Sequence, residues 1–143
     1  MKASMFYRIA AVLLLLFAAG HTSGFPWSDP QWGVDLGSLR STHFDILGSS
    51  RTYWDFYVGF GLTVTVLLLL AVILAWQLGG FPAATLALMR GTAWAFALCF
   101  AAITVVSWRY LFVIPVVFSI VITLCLTAAA WLSARQVSMP PSR

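Results

Sequence analysis

The chain is 143 residues long, 62% hydrophobic and 8% charged, with a mean hydropathy of +0.95. Soluble domains carry roughly a quarter charged residues, so this chain lacks the polar shell that a water-soluble fold of its length needs. Its net charge of +4 is scattered along the chain rather than gathered in a basic stripe, which sets nucleic acid aside as a partner.

Four apolar stretches follow one another: residues 5–21, 54–78, 83–108 and 111–132. About 20 apolar residues cross the hydrocarbon core as a helix, and the last three stretches meet that length. None alternates apolar with polar residues, so a membrane β-barrel is excluded. The first stretch has two readings. Lys2 and Arg8 precede the apolar run Ile9–Ala19, and the small residues Ala18 and Gly20 fit a cleavage site, as in a signal peptide over residues 1–20. Against this, apolar character reaches back through Met5, Phe6 and Tyr7, and Phe25 and Trp27 suit interfacial anchoring, which favours a retained helix.

Residues 22–53 form a loop of different composition, with Asp29, Asp35 and Asp45 among prolines and glycines. Its first half reads as turns. Its second half predicts a short amphipathic helix from an N-cap at Ser38 to a stop at Gly48. Leu39, His43, Ile46 and Leu47 would share one face, with Arg40, Ser41 and Asp45 opposite. The later links are tight: residues 77–82 with Gly79 and Gly80, then residues 107–110. Short links predict antiparallel neighbours, so helices 2, 3 and 4 should form a meander. Arg90 is expected at the interface, with the third span beginning near Gly91, and Pro115 is expected to kink the fourth span or delay its start. Trp108, Arg109 and Tyr110 should form an interfacial belt. Residues 136–143, with Pro140 and Pro141, read as a disordered tail.

The expected fold is an all-α membrane protein: four transmembrane helices in an up-down bundle, one domain over residues 1–135, with the long loop between helices 1 and 2. Lys2, Arg8, Arg90, Arg135 and Arg143 fall on one side and Arg40, Arg51 and Arg109 on the other. That bias places both termini in the cytoplasm.

Chemistry concentrates at the outer ends of helices 1 and 2. His21 closes helix 1, Arg51, Trp54 and Asp55 open helix 2, and His43 and Asp45 precede it. Together these six residues are a candidate polar pocket of imidazole, carboxylate and guanidinium under the loop. Each also has a plain structural use: Asp55 favours a helix N-terminus through the dipole, and Arg51 can snorkel to the interface. His21, His43 and either aspartate could supply metal ligands, but no spacing signature supports a metal, and neither haem nor any other cofactor is expected. Cys99 and Cys125 sit in apolar runs and read as small hydrophobes. No span carries an acidic residue near its middle, which weakens a transport reading.

Two segments carry a resemblance: RIAAVLLLLFAAGHTSGF at 8–25 and HFDILGSSRTYWDFYVGFGL at 43–62. They resemble a group of small bacterial integral membrane proteins whose pattern includes a Gly-His ending helix 1 and a Phe-Tyr-x-Gly-Phe-Gly opening helix 2. Here those are Gly20-His21 and Phe56–Gly61. The resemblance covers the first helix, the end of the loop and the start of the second helix, and it implies no activity. More loosely the chain is similar to DoxX-like four-helix membrane proteins, some of which are subunits of quinone-linked oxidoreductases, an analogy of architecture alone.

The expected role is a non-enzymatic accessory or binding subunit of a bacterial inner membrane, in contact with the lipid bilayer and with a membrane protein partner or further copies of itself. The alternative is a membrane redox or small-molecule-binding protein using the polar pocket. A transporter ranks third.

Overall fold

The structure, a computed structural model, describes residues 2–24 and 33–135. The expected turns around Pro26 and Pro30, the anchors Phe25 and Trp27, Asp29 and the tail 136–143 lie outside the described residues. Eight elements follow in chain order: α1 (Ala3–Gly24), α2 (Leu36–Ser41), β1 (His43–Ile46), β2 (Ser49–Thr52), α3 (Tyr53–Leu78), α4 (Ala83–Leu88), α5 (Arg90–Tyr110) and α6 (Val113–Arg135). Four of these helices, α1, α3, α5 and α6, are long and apolar enough to cross a membrane. At 1.5 Å per residue, the 22 residues of α1 extend about 33 Å, the thickness of a hydrocarbon core. Long helices answer the sequence's demand directly, because a lipid-exposed backbone must bond to itself.

The spans are arranged in the order α3–α1–α6–α5. α1 packs against α3 on one side and α6 on the other, and α6 packs against α5. Side-chain pairs fix the directions. Arg8 meets Trp76 while Thr22 meets Thr65, so α1 and α3 are antiparallel. Phe17 stacks on Phe118, and the Thr104 hydroxyl meets that of Thr123 at 3.2 Å. The core between these helices is built largely of small residues: Ala10, Ala11 and Ala18 of α1, and Ser119, Ala129, Ala130 and Ser133 of α6, all buried. Lipid tails are as apolar as leucine, so close backbone approach and van der Waals contact hold such helices together. Ser119, Thr123 and Ser133 turn their hydroxyls back to carbonyls of their own helix, which removes the cost of burying them.

The expected meander of neighbours needs correction. α3 and α5 make little direct contact. The apolar run 83–108 is broken at Met89, whose backbone (φ −89°, ψ 15°) leaves the helical region. Residues 83–88 therefore belong to the connection, which is long enough to carry the chain past α1 and α6. The break also puts Arg90 at the first, exposed position of α5 instead of inside a span, where a charge is costly. Pro115 falls in the first turn of α6, where its missing N–H has no helical acceptor to lose, so it starts the helix rather than kinking it.

The loop helix also differs. α2 starts earlier than expected and is only six residues long. Asp35 caps it instead of Ser38: its carboxylate accepts from the Gly37 N–H at 3.0 Å and from the Ser38 hydroxyl. Those bonds, the Ser38 hydroxyl foremost, hold the Asp35 carboxyl below its ordinary range. Residues 43–52 form an antiparallel hairpin with His43 opposite Thr52, Phe44 opposite Arg51, Asp45 opposite Ser50 and Ile46 opposite Ser49. Gly48 is a turn residue, not a helix stop. Leu47 and Gly48 both have positive φ, 50° and 80°, which is the twist a two-residue hairpin turn requires. Glycine adopts this freely; leucine, here fully exposed, does not. Leu47→Asn is therefore expected to stabilise the hairpin by about 1 kcal/mol. Slower amide exchange at Ile46 and Ser49 measures it, and unchanged or faster exchange would refute the turn geometry.

Candidate functional site

The C-terminal end of α1 and the N-terminal end of α3, with α2 and the hairpin beside them, form one cap. α3 starts at Thr52 through a reciprocal pair of bonds. The Asp55 N–H donates to Thr52 Oγ1 at 3.1 Å, and the Thr52 N–H donates to Asp55 Oδ2 at 2.8 Å. This capping box satisfies two backbone donors at the membrane boundary and aims Asp55 back toward the hairpin. Phe44 of β1 lies against Tyr53 and Phe56, with ring centroids 5.1 and 5.2 Å away, and Phe56 meets Phe60 edge-on. These contacts seat the hairpin on the side of α3 turned away from α1.

The six sequence candidates separate into distinct uses. His21 donates from Nε2 to the Gly61 carbonyl of α3 at 3.1 Å, and Thr22 and Thr65 join hydroxyls at 3.0 Å one turn further on. This polar pair of contacts ties α1 to α3. Trp54 packs on Tyr57 and carries the Arg40 guanidinium 4.4 Å from its ring centre. His43 and Asp45 are exposed on β1. Arg51 and Asp55 come together: both line a cleft of about 320 Å³ with Phe56, Gly59, Phe60 and Thr63. His21 is not among its lining residues, because it points to the opposite face of α3. The structure thus reduces the six-residue pocket to a two-charge cleft and a separate helix-to-helix contact.

An interhelical hydrogen bond in lipid is worth about 0.6–2 kcal/mol. His21→Leu is expected to lower the unfolding free energy by about 1 kcal/mol without altering helix content. A denaturant titration with circular dichroism measures this, and complete loss of helix would show a larger role for the histidine.

Two features were not singled out from sequence. One is a second cleft of about 270 Å³ between α3 and α5, lined by Leu74, Gln77, Leu78, Phe81 and, across it, Met89, Thr92, Ala95, Phe96 and Cys99. No local pattern could have revealed it, because it exists only where α3 and α5 stand apart. The other is Arg8. Its guanidinium lies 3.7 Å over the Trp76 ring, and its buried Nη1 has no hydrogen-bond partner. Gly79 and Gly80, together at the end of α3, were the available signal, since a glycine pair permits a close approach of side chain to backbone. Among the described residues, no group of three His, Cys, Asp or Glu side chains is placed to hold a metal ion.

Fold and site define a multi-pass α-helical membrane protein with four spans and a small extramembrane cap. Comparison with protein-family models, with curated proteins and with solved structures found no match.

Proposed function

We propose that this chain is an accessory or binding subunit, built as an up-down bundle in a bacterial inner membrane with both termini in the cytoplasm. The supporting observation is the open flank between α3 and α5. Each of these helices packs along one neighbour, and the cleft they leave is apolar apart from Gln77, Thr92 and Cys99. A protein partner or a second copy of this chain can seat an apolar helix there. Within a bilayer such seating gains packing contacts and small-residue approach rather than hydrophobic transfer. The proposal includes the relation to small bacterial four-helix proteins. Its support is that the two segments carrying the resemblance meet: His21 of Gly20-His21 bonds to Gly61 of Phe56–Gly61.

A photo-crosslinking residue in place of Ala95, used in native membranes, is expected to give one discrete protein adduct. The same species should co-purify in fixed ratio in mild detergent. A lone monodisperse monomer with no adduct would overturn the reading.

A second reading, a membrane-embedded small-molecule binder, is favoured by one observation: Arg51 and Asp55 share a cleft at the outer boundary. Unchanged ligand binding after Arg51→Gln would remove it.

A further inference from the structure

We propose that the Arg51–Asp55 cleft binds the zwitterionic headgroup of a membrane phospholipid, a phosphoethanolamine, with one acyl chain lying along Phe56, Gly59, Phe60 and Thr63. The inference does not depend on a protein partner at the α3–α5 cleft, which lies at the other end of α3.

Position is the first argument. His21, Thr22 and α1 contact α3 at Gly61 and Thr65, and further along α3 Leu68, Ala75 and Leu78 are buried. Set against Gly61, Thr65, Leu68 and Ala75 at 3.6 residues per turn, Phe56, Gly59 and Thr63 fall on the opposite face, with Phe60 at its edge. Phe56 and Phe60 are 40% and 65% exposed there, at the end of a membrane span. The bilayer itself is what meets this face. The hairpin rises beside it and closes its upper end with Arg51.

Charge is the second. The two rim charges have opposite sign and are near enough for Arg51 to favour the Asp55 carboxylate, but their hydrogen bonds go elsewhere. Arg51 Nη1 donates to the neighbouring Ser50 carbonyl at 2.9 Å, and Asp55 Oδ2 accepts the Thr52 N–H. Arg51 keeps further N–H donors in the fork geometry that suits a phosphate. Asp55 keeps its second oxygen for a cationic donor. Phosphoethanolamine supplies both partners, a phosphate for Arg51 and a primary ammonium for Asp55. Phosphocholine has the phosphate, but its quaternary nitrogen has no N–H to donate. Phosphoglycerol has no cation and leaves Asp55 facing net negative charge.

The floor is the third. A Cβ built on Gly59 meets nothing within 4 Å, so the space beside the Phe56–Phe60 pair is open and a larger side chain there would enter it. The Thr63 hydroxyl is turned back to the Gly59 carbonyl at 2.8 Å and presents no donor outward. The lower part of the cleft is thereby apolar, as an acyl chain requires.

The test uses the full chain purified in detergent, with lipids of identical chains and three headgroups added back: phosphatidylethanolamine, phosphatidylcholine and phosphatidylglycerol. Bound lipid is counted by native mass spectrometry. The wild type is expected to retain phosphatidylethanolamine about tenfold over the other two. Arg51→Gln removes the phosphate partner, and Gly59→Leu fills the groove from a position with free space. Both should reduce phosphatidylethanolamine to the level of phosphatidylcholine. Equal retention of all three lipids by the wild type would overturn the proposal, since it signals only the unselective lipid that coats any span. A preference for phosphatidylglycerol, or a preference surviving Gly59→Leu, would overturn it as well. The wild-type comparison stands alone if either variant melts early.

Discussion

Ala129→Leu is expected to lower the unfolding free energy by about 1–3 kcal/mol, the cost of forcing added volume into a packed core. Ala129 is completely buried in α6, beside Ala130 and one turn after Leu126, in the same cluster as Ala10, Ala11 and Leu14 of α1. The stabilisation at this interface comes from backbones lying close together. Three further carbon atoms cannot be absorbed by a rotamer change at a position with no free surface, so the helices must move apart. α1 and α6 are the two inner members of the row, so separating them weakens both halves. The transition midpoint in a detergent-denaturant titration reports the change. Leu124→Ile, at a position of the same helix that is 63% exposed, should leave the midpoint unchanged. A normal midpoint for Ala129→Leu would show that the α1–α6 interface is looser than its burial implies.

Gly79→Val should cost about 2 kcal/mol, by displacing Arg8 from its place over Trp76. The backbone at Gly79 is ordinary right-handed helix (φ −67°, ψ −14°), so no conformational freedom of glycine is involved. Space is what matters. A Cβ there would lie 3.2 Å from both Cδ and Nε of Arg8 and 3.3 Å from Cγ, tight enough that the Arg8 side chain must give way by a few tenths of an ångström. The two further methyl groups of valine would push the guanidinium off the indole face. Arg8 already holds one buried N–H without a partner, so the aromatic ring is a contact it loses at a cost. The loss should appear as a lower melting temperature together with a changed Trp76 fluorescence. Gly91→Ala, which enters open space, is the control and should leave the Trp76 fluorescence unchanged. Identical melting of Gly79→Val and wild type would mean that Arg8 is not held by this contact.

Much of the architecture was legible in the chain. The four spans appear where hydropathy and length put them, each within a few residues except the third. The signals were strong because each residue must be apolar on its own account in lipid. The loop was read less well. Leu39, His43, Ile46 and Leu47 fit helical spacing, yet residues 43–46 are a strand. A periodicity over so few residues fits two elements, and the deciding interaction, pairing with Ser49–Thr52, lies outside that window. The candidate residues lie near the C-terminal end of α1 and the N-terminal end of α3, and α3 has two faces there. His21 takes the inner one, and Arg51 with Asp55 takes the outer one. Linear position gives depth in the membrane but not which way around the helix axis a neighbour lies.

From sequence alone this protein is a multi-pass helical membrane protein with its chemistry near one boundary, because composition sets the solvent a chain can fold in and length sets how often it crosses. The tertiary structure decided which spans touch. A connection over residues 79–89, broken at Met89, let α3 and α5 stand apart with a cleft between them. It also decided that Arg51 and Asp55 open on the side of α3 away from α1, because the hairpin docks through Phe44 on the face of α3 that α1 leaves free. Both outcomes depend on contacts between residues far apart in the chain, and no local pattern encodes those.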